Sequence, residues 1–319
     1  MDQKEATNQP SSRSNLFYIS KCLNQDLYAE NQPTCSIKFL TLQKHRTTTE
    51  RTLLEGSFPN GKEAGIHIQN KKKKITVLLS LALLPVFAFL IYIYRKDSEK
   101  PEPIGMLAKA VLYGVISVFI SLMFTSFLTE TPEGEADQLD GWIDAFFGAA
   151  IPEEFAKLLM LWLLVRKSKY FDEPIDGIVY AVCVSLGFAG LENVLYLIDD
   201  PDYLSVGIMR GITSIPGHFC FAVSMGYFYS LAHFGNKHKL WYKLMAYFVP
   251  VLLHGIYDAL LSITDDNYYP IALGIWIIFC WLMYRKALKR IGKIKEWEKQ
   301  QASQANPIGG DSPIASSQQ

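Results

Sequence analysis

The sequence lacks several features that would assign it to a common soluble class. It contains five cysteines but no CxxC pair, which argues against a zinc ribbon or a dithiol redox site. Its 31 basic and 31 acidic side chains balance, so no net positive charge indicates a nucleic-acid partner. No long apolar run occurs in the first 30 residues. We therefore expect no cleavable signal peptide, and the first membrane segment should serve as the targeting signal.

Long apolar runs are what the sequence has in place of these features. Half of the residues (50%) are hydrophobic, and they are concentrated after residue 74. A helix of about 20 apolar residues crosses the roughly 30 Å hydrocarbon core of a bilayer. The pattern predicts an all-α, polytopic transmembrane helix bundle of about seven spans in a lipid bilayer. The predicted spans are 75–94, 107–128, 142–165, 175–198, 212–234, 240–263 and 268–284.

The polar segments divide the chain into three regions. Residues 1–74 form a polar N-terminal region of unknown fold, which ends in the basic run 71–74. Residues 75–285 form the helical bundle. Residues 286–319 form a tail that is first basic and then, after Lys295, rich in Gln, Ser, Pro and Gly, a composition typical of disorder.

The loops between the predicted spans alternate in charge. Basic loops lie at 95–100, 166–169, 237–243 and from 285 onward, whereas acidic loops lie between them. The positive-inside rule places the basic loops in the cytoplasm. Seven spans would then leave the N-terminal region outside, although the basic run 71–74 favours the cytoplasm, and the side of this region stays open.

Charged residues inside the third predicted span are unexpected in lipid. Glu153 and Glu154 are followed by Lys157, which lies three and four residues away on the same helix face. A charge at the bilayer centre costs about 2.5–3.5 kcal/mol on insertion scales. A structural ion pair would explain one carboxylate but not the second. Two neighbouring carboxylates in a low dielectric suit general acid or base chemistry.

Further polar side chains lie in the next three spans. Glu192 and Asn193 follow a stretch of small residues that would let another helix approach closely. Arg210 lies at the mouth of the fifth span, and His218 follows Pro216 and Gly217. The sixth span places His254 and Asp258 four residues apart on one face, so that the carboxylate could orient the imidazole.

These side chains lie at similar depths in the predicted membrane. Counted from the acidic, external ends at about 1.5 Å per residue, Glu154 is roughly 18 Å deep, Glu192 roughly 10 Å, His218 roughly 9 Å and His254 roughly 14 Å. Neighbouring spans run in opposite directions, so this agreement need not follow from sequence position. It predicts a single site in the outer half of the bilayer.

The motifs around these residues resemble the PrsW family of intramembrane proteases. The resemblance rests on EEFAK, FAGLEN, His218 and HGIYD, covers a catalytic core at 141–262, and includes the connecting stretches FDEPIDG and RGITSIPGH. The family is distantly similar to the CAAX-processing and bacteriocin-immunity membrane endopeptidases. The resemblance implies hydrolysis of a peptide bond in a membrane-anchored protein substrate. It also implies the bacterial cytoplasmic membrane and, as in the best-known relatives, an anti-sigma factor as the substrate.

We expect five of these residues to be catalytic and four to support them. The catalytic set is Glu153, Glu154, Glu192, His218 and His254, and the supporting set is Lys157, Asn193, Arg210 and Asp258. A glutamate would activate the attacking water. Either His218, His254 and Glu192 hold a zinc ion, or a metal-free glutamic mechanism uses the histidines and Asn193 as oxyanion donors. The sequence has no HExxH motif.

Two functions of other classes remain as alternatives. A proton-coupled transporter would also place Glu and His within the membrane, but it predicts an inverted repeat, and no convincing repeat is visible. A noncatalytic membrane scaffold would use the same polar side chains to hold helices together.

Overall fold

The chain was analysed as a computed structural model that describes residues 61–97, 100–128, 138–198, 200–263, 265 and 267–305. These residues contain helices and connecting segments but no β-strand, which confirms the predicted all-α class. The helices are α1 (Gly61–Lys96), α2 (Ile104–Leu128), α3 (Gln138–Ile143), a π-helix (Asp144–Ala150), α4 (Ile151–Val165), α5 (Asp176–Ile198), α6 (Tyr203–Ile212), α7 (Ser214–Phe234), α8 (Lys239–Leu261) and α9 (Tyr269–Ala305).

Six stretches of helix are long and apolar enough to cross a membrane. They are 72–96, 104–128, 176–198, 203–234, 239–261 and 269–301. The third predicted span is not among them, because the chain there is divided into α3, the π-helix and the 15-residue α4. The six helices and this divided segment together agree with the prediction of about seven spans.

Helix α5 is the central element of the bundle. It packs against α1, α2 and α7, and most of its side chains are buried. A Cβ at Gly114 would overlap the α5 backbone at Val184, and a Cβ at Gly187 would overlap the α2 backbone at Val111. The two helices therefore pack backbone against backbone, as small residues allow in membrane bundles. This contact places the C-terminal end of α5, with Glu192, inside the bundle.

The last helix differs from the prediction. The apolar run was predicted to end at residue 284, but α9 continues to Ala305. Ala287, Ile291 and Ile294 recur at helical spacing and are buried, and Arg290 donates a hydrogen bond to Ser224 of α7. The prediction of disorder is therefore wrong for residues 296–305.

Residues 306–319 and 1–60 lie outside the described residues, and α1 begins within the predicted N-terminal region.

The π-helix before α4 has an identifiable cause in the sequence. Pro152 has no N–H, and its ring disfavours a normal hydrogen bond from its position to the carbonyl of Gly148. The N–H of Ile151 bonds instead to the carbonyl of Phe146, five residues back. The freed Gly148 carbonyl accepts a hydrogen bond from the Thr125 hydroxyl of α2 at 2.9 Å. The π-helix sets the direction in which the next residues, Glu153 and Glu154, point.

Candidate active site

The amino group of Lys157 lies at the centre of the polar cluster. Its Nζ is 2.8 Å from Glu154 Oε1, 3.0 Å from Glu153 Oε2 and 3.3 Å from His218 Nδ1. It also lies 4.0 Å from the centre of the Phe188 ring. An ammonium group has three N–H donors and no acceptor. All three donors therefore have a partner, two on α4 itself and one on α7.

The partner at His218 fixes which nitrogen of this imidazole is protonated. Because the ammonium of Lys157 can only donate, His218 Nδ1 must accept. The proton then lies on Nε2, which donates to Glu192 Oε2 at 3.0 Å. The histidine thus joins the Lys157 ammonium to the Glu192 carboxylate as a neutral ring.

Arg210 completes the surroundings of Glu192. Its Nη2 lies 2.9 Å from Glu192 Oε2, and its Nε donates to Asn193 Oδ1 at 2.8 Å. The guanidinium also stacks over Tyr196, with its central carbon 3.7 Å from the ring centre. The break at Thr213 between α6 and α7 turns the chain so that Arg210, in the last turn of α6, reaches the end of α5. Asn193 Nδ2 is left buried without a partner among the described residues.

His254 on α8 has a carboxylate at each nitrogen. Its Nδ1 lies 3.0 Å from Glu154 Oε1 and 3.9 Å from Glu153 Oε2, and its Nε2 lies 3.1 Å from Asp258 Oδ2. A carboxylate accepts hydrogen bonds, so this arrangement favours a ring that donates from both nitrogens and bears a positive charge. In this arrangement His254 carries a proton on each nitrogen, whereas His218 carries one.

The two histidines and their partners form one connected cluster. The rings of His218 and His254 are 5.5 Å apart, and Phe221 stacks on His254 at 4.8 Å. All nine residues singled out in the sequence lie in this cluster, linked by the hydrogen bonds and ion pairs above. Their predicted meeting in one place agrees with the structure, while their catalytic roles stay a prediction.

Exposure differs sharply among the acidic side chains. Glu154 is fully buried, and the Lys157 side chain is 1% exposed. The side chains of Glu153, Glu192 and Asp258 are 14%, 18% and 32% exposed. Glu153, and not Glu154, is therefore the member of the adjacent pair whose side chain has accessible surface.

Two aromatic residues belong to the site: Phe188, which the sequence showed only as the start of the FAGLEN motif, and Phe221, which sequence reasoning missed. Phe188 lies under the Lys157 ammonium, and Phe221 stacks on His254. Phe188 lies four residues before Glu192, and Phe221 lies three residues after His218. This helical spacing, which places each ring on the same face as a polar residue, was the available signal.

The cluster contains one trio of side chains whose ligand atoms are close enough together to hold a metal ion. Glu153, Glu154 and His218 each offer one ligand atom, all within 4.8 Å of one another, a different trio from the expected His218, His254 and Glu192. Zinc binds nitrogen and oxygen ligands at about 2.0–2.2 Å. However, Lys157 Nζ already contacts Glu153, Glu154 and His218. In this arrangement the residues fit an ammonium group and not a zinc ion beside it.

The chain matches known proteins over most of its described length. The model of a family described as "PrsW family intramembrane metalloprotease" matches residues 102–284. A Protease PrsW of Geobacillus kaustophilus is 34% identical over 226 residues, which cover 70% of this chain and 95% of that protein. One of Clostridioides difficile is 36% identical over 210 residues, 64% of this chain and 87% of that protein. One of Bacillus subtilis is 32% identical over 216 residues, 66% of this chain and 94% of that protein. No solved structure matches the chain.

Proposed function

We propose that this chain, which belongs to the PrsW family of intramembrane metalloproteases and is a multi-pass membrane protease, hydrolyses its substrate without a metal ion. In this proposal, Glu153 activates the water molecule that attacks the peptide bond. The family confirms the resemblance and the peptidase class expected from the sequence. The particular roles of the residues, the substrate and the absence of zinc are our proposals.

One observation carries the metal-free proposal. The Lys157 ammonium contacts Glu153, Glu154 and His218 together through its three donors. This cation supplies the positive charge that two adjacent buried carboxylates require. A zinc ion bound to the same atoms would have to displace the Lys157 ammonium. The displaced ammonium would then be buried among apolar side chains elsewhere in the bundle.

The attack on the substrate follows from the exposure of Glu153. Its carboxylate accepts a proton from water, and the water oxygen forms a bond to the scissile carbonyl carbon. The carbonyl oxygen becomes an oxyanion, for which the unpartnered Asn193 amide is a suitable donor. Because Nδ2 of the Asn193 amide is already buried and has no partner among the described residues, the amide needs little reorganisation when the negative charge of the oxyanion develops.

The collapse of the tetrahedral intermediate needs a proton on the leaving nitrogen. His254 is arranged to supply it, because both of its nitrogens face carboxylates. The carbon–nitrogen bond breaks, and the products are a carboxylic acid and an amine. The proton held by Glu153 can then return to His254, whose Nδ1 is 3.9 Å from Glu153 Oε2.

The remaining residues of the cluster position Glu153 and His254. Glu154 bonds to both Lys157 and His254, so it fixes the ammonium and the imidazole relative to each other. Glu192 is fixed by Arg210 and by His218. Glu154 is fully buried, so an attacking water has better access to Glu153, whose side chain is 14% exposed.

We propose a membrane-anchored protein as the substrate. A cluster made by α4, α5, α7 and α8 inside the bundle can be reached by a segment that lies in or next to the membrane. The loop charges favour cleavage near the outer surface of a bacterial cytoplasmic membrane. An anti-sigma factor with one membrane span, which the sequence resemblance implies, is the first substrate to test.

The test is a cleavage assay with purified protein in lipid vesicles containing such a single-span substrate. The variants are Glu153→Gln, Glu154→Gln and His254→Ala, with the exposed Glu296→Gln on α9 as the matched control. We expect Glu153→Gln to lower cleavage by at least about a hundredfold, since a general base contributes about 10²–10⁴-fold. Glu296→Gln should cleave like the wild type.

A second arm of the assay separates the metal-free and zinc mechanisms. The wild type is treated with a transition-metal chelator and, in parallel, with a non-chelating isomer of that compound. Equal cleavage in both supports the metal-free mechanism. Loss of cleavage with the chelator alone, restored by zinc, would show that the metal-free proposal is wrong. Retained cleavage by Glu153→Gln would contradict the role of Glu153.

A further inference from the structure

A second group of acidic side chains lies at the opposite end of α5 from Glu192. Asp97 and Glu102 are in the connection between α1 and α2, Asp172 and Glu173 are in the connection between α4 and α5, and Asp176 is the first residue of α5. Asp97, Glu102 and Asp176 are 2%, 6% and 1% exposed. By the loop charges this end of the bundle faces the cytoplasm.

The backbone and neighbouring side chains hold these carboxylates in place. Asp176 Oδ2 accepts the N–H of Asp172 at 3.0 Å and of Glu173 at 2.7 Å. Asp97 Oδ2 accepts the N–H of Glu102 at 3.0 Å, and the Tyr180 hydroxyl donates to Glu102 Oε2. These donors fix the orientation of the carboxylate oxygens.

One oxygen of this group has no partner although it is buried. Asp176 Oδ1 is inaccessible to water and accepts no hydrogen bond from any residue that the structure describes. Asp176 also belongs to both trios whose ligand atoms lie within 4.8 Å of one another, namely Asp97–Glu173–Asp176 and Glu102–Asp172–Asp176. An unsatisfied buried carboxylate oxygen requires an explanation such as an ion.

The nearby basic side chains form no direct ion pair with the buried acids in the part of the chain that the structure describes. Lys100 pairs with Asp172 and lies 3.9 Å from Glu173, and its own side chain is 57% exposed. Lys295 donates to the carbonyl of Lys96. Asp97, Glu102 and Asp176 take part in none of the ion pairs found among the described residues.

We propose that this group is a binding site for a hard divalent cation, with the trio Asp97, Glu173 and Asp176 as its ligands. All of the ligands are carboxylate oxygens, the donors that Ca²⁺ and Mg²⁺ prefer, and the group offers no nitrogen or sulfur. The ion joins the α1–α2 connection to the α4–α5 connection and to the start of α5. The site is separate from the Lys157 cluster and does not depend on the proposed mechanism.

The experiment measures cation binding to the purified full-length protein in detergent after treatment with a chelator. Calcium, magnesium and manganese are titrated separately by calorimetry, and thermal unfolding is followed with and without each ion. We expect one ion per chain and a rise in Tm on binding. The exposed Asp202→Asn, at the other end of α5, is the matched control and should bind like the wild type.

Two ligand variants test the assignment. Asp176→Asn removes the shared ligand and should abolish binding. Glu173→Gln alters a side chain that is 28% exposed, so it should fold, and we expect its affinity to fall by at least about tenfold because affinity follows the number of charged ligands. Absence of binding by all three ions in the wild type would overturn the proposal, as would wild-type affinity in Glu173→Gln together with Asp176→Asn.

Discussion

Lys157 and His218 are 61 residues apart, and the Nζ of the first lies 3.3 Å from Nδ1 of the second. An ammonium can only donate, so this contact makes His218 a neutral acceptor towards Lys157 and a donor towards Glu192. A zinc ligand would instead use a ring nitrogen to bind metal. The contact therefore supports the metal-free arrangement and gives the first prediction.

Replacement of Lys157 by Met should strongly destabilise the protein. It leaves Glu153, Glu154 and the His218 nitrogen without their common donor, and breaking a buried ion pair costs about 3–5 kcal/mol. Cleavage should be lost, and thermal unfolding should occur at a lower temperature. Both are measured in detergent and in vesicles.

The exposed Lys167→Met, two residues beyond α4, is the control for the lost charge. Lys157→Arg separates folding from geometry, because the guanidinium keeps the charge but is planar and larger. It should retain more stability than Lys157→Met and still lose cleavage. If Lys157→Met unfolds like the wild type, the ammonium does not stabilise the cluster.

The pair Glu192 and Arg210 should show strong energetic coupling. Arg210 Nη2 is 2.9 Å from Glu192 Oε2, and the Arg210 side chain is only 8% exposed. In a double-mutant cycle of Glu192→Gln and Arg210→Gln, each single change leaves a buried charge without its partner. The double variant should recover about 1–3 kcal/mol relative to the sum of the single effects. Unfolding free energies in mixed micelles measure the cycle, and additive effects would contradict the coupling.

The sequence predicted the helical class and which side chains lie in the cluster better than it predicted the contacts between those side chains. Intramembrane charge is costly, and this cost alone indicated Glu153, Glu154, Glu192, His218 and His254. The spacing of Lys157 from both glutamates predicted its ion pairs, which the structure has. The depth of a side chain in the membrane depends only on its position within the span and can therefore be read from the sequence. The similar depths of these side chains predicted that they would meet.

The remaining features depend on contacts between distant parts of the chain. The contact of Lys157 with His218 depends on how α4 and α7 both pack against α5, which helical periodicity does not specify. The π-helix arises from Pro152 together with a donor on α2, Thr125. The length of α9 was underestimated because its second half is polar overall and packs on the bundle only through a narrow stripe, Ala287, Ile291 and Ile294, and the Arg290–Ser224 hydrogen bond.

Replacement of Pro152 by Ala should impair cleavage without destabilising the protein. Ala supplies the N–H that Pro152 lacks, so that a normal hydrogen bond to the Gly148 carbonyl becomes available. A shift by one residue rotates the following side chains by about 100° around the helix and would turn Glu153 and Glu154 away from Lys157. We expect cleavage to fall by at least about tenfold, since small displacements of reacting groups are costly. Wild-type cleavage together with wild-type Tm would show that Pro152 does not set this geometry.

The close contact between Gly255 and Phe146 gives a prediction about how the π-helix is held. A Cβ at Gly255 of α8 would overlap the Phe146 ring, and no comparable neighbour lies within 4 Å of Gly274 on α9. Gly255→Ala should therefore destabilise the protein by about 1–3 kcal/mol, the cost of overpacking. Gly274→Ala, the control, should be neutral or stabilise its helix by up to about 1 kcal/mol.

The second residue of this contact provides a rescue. Phe146→Leu shortens the ring side chain that the new methyl group would meet, so it should restore part of the stability and cleavage lost in Gly255→Ala. Because the Phe146 carbonyl accepts the hydrogen bond from Ile151, displacement of Phe146 should also disturb the start of α4. Unfolding free energy and cleavage are measured for both single variants and the double variant. If Gly255→Ala costs no more than Gly274→Ala, the contact of α8 with the π-helix does not position Glu153 and Glu154.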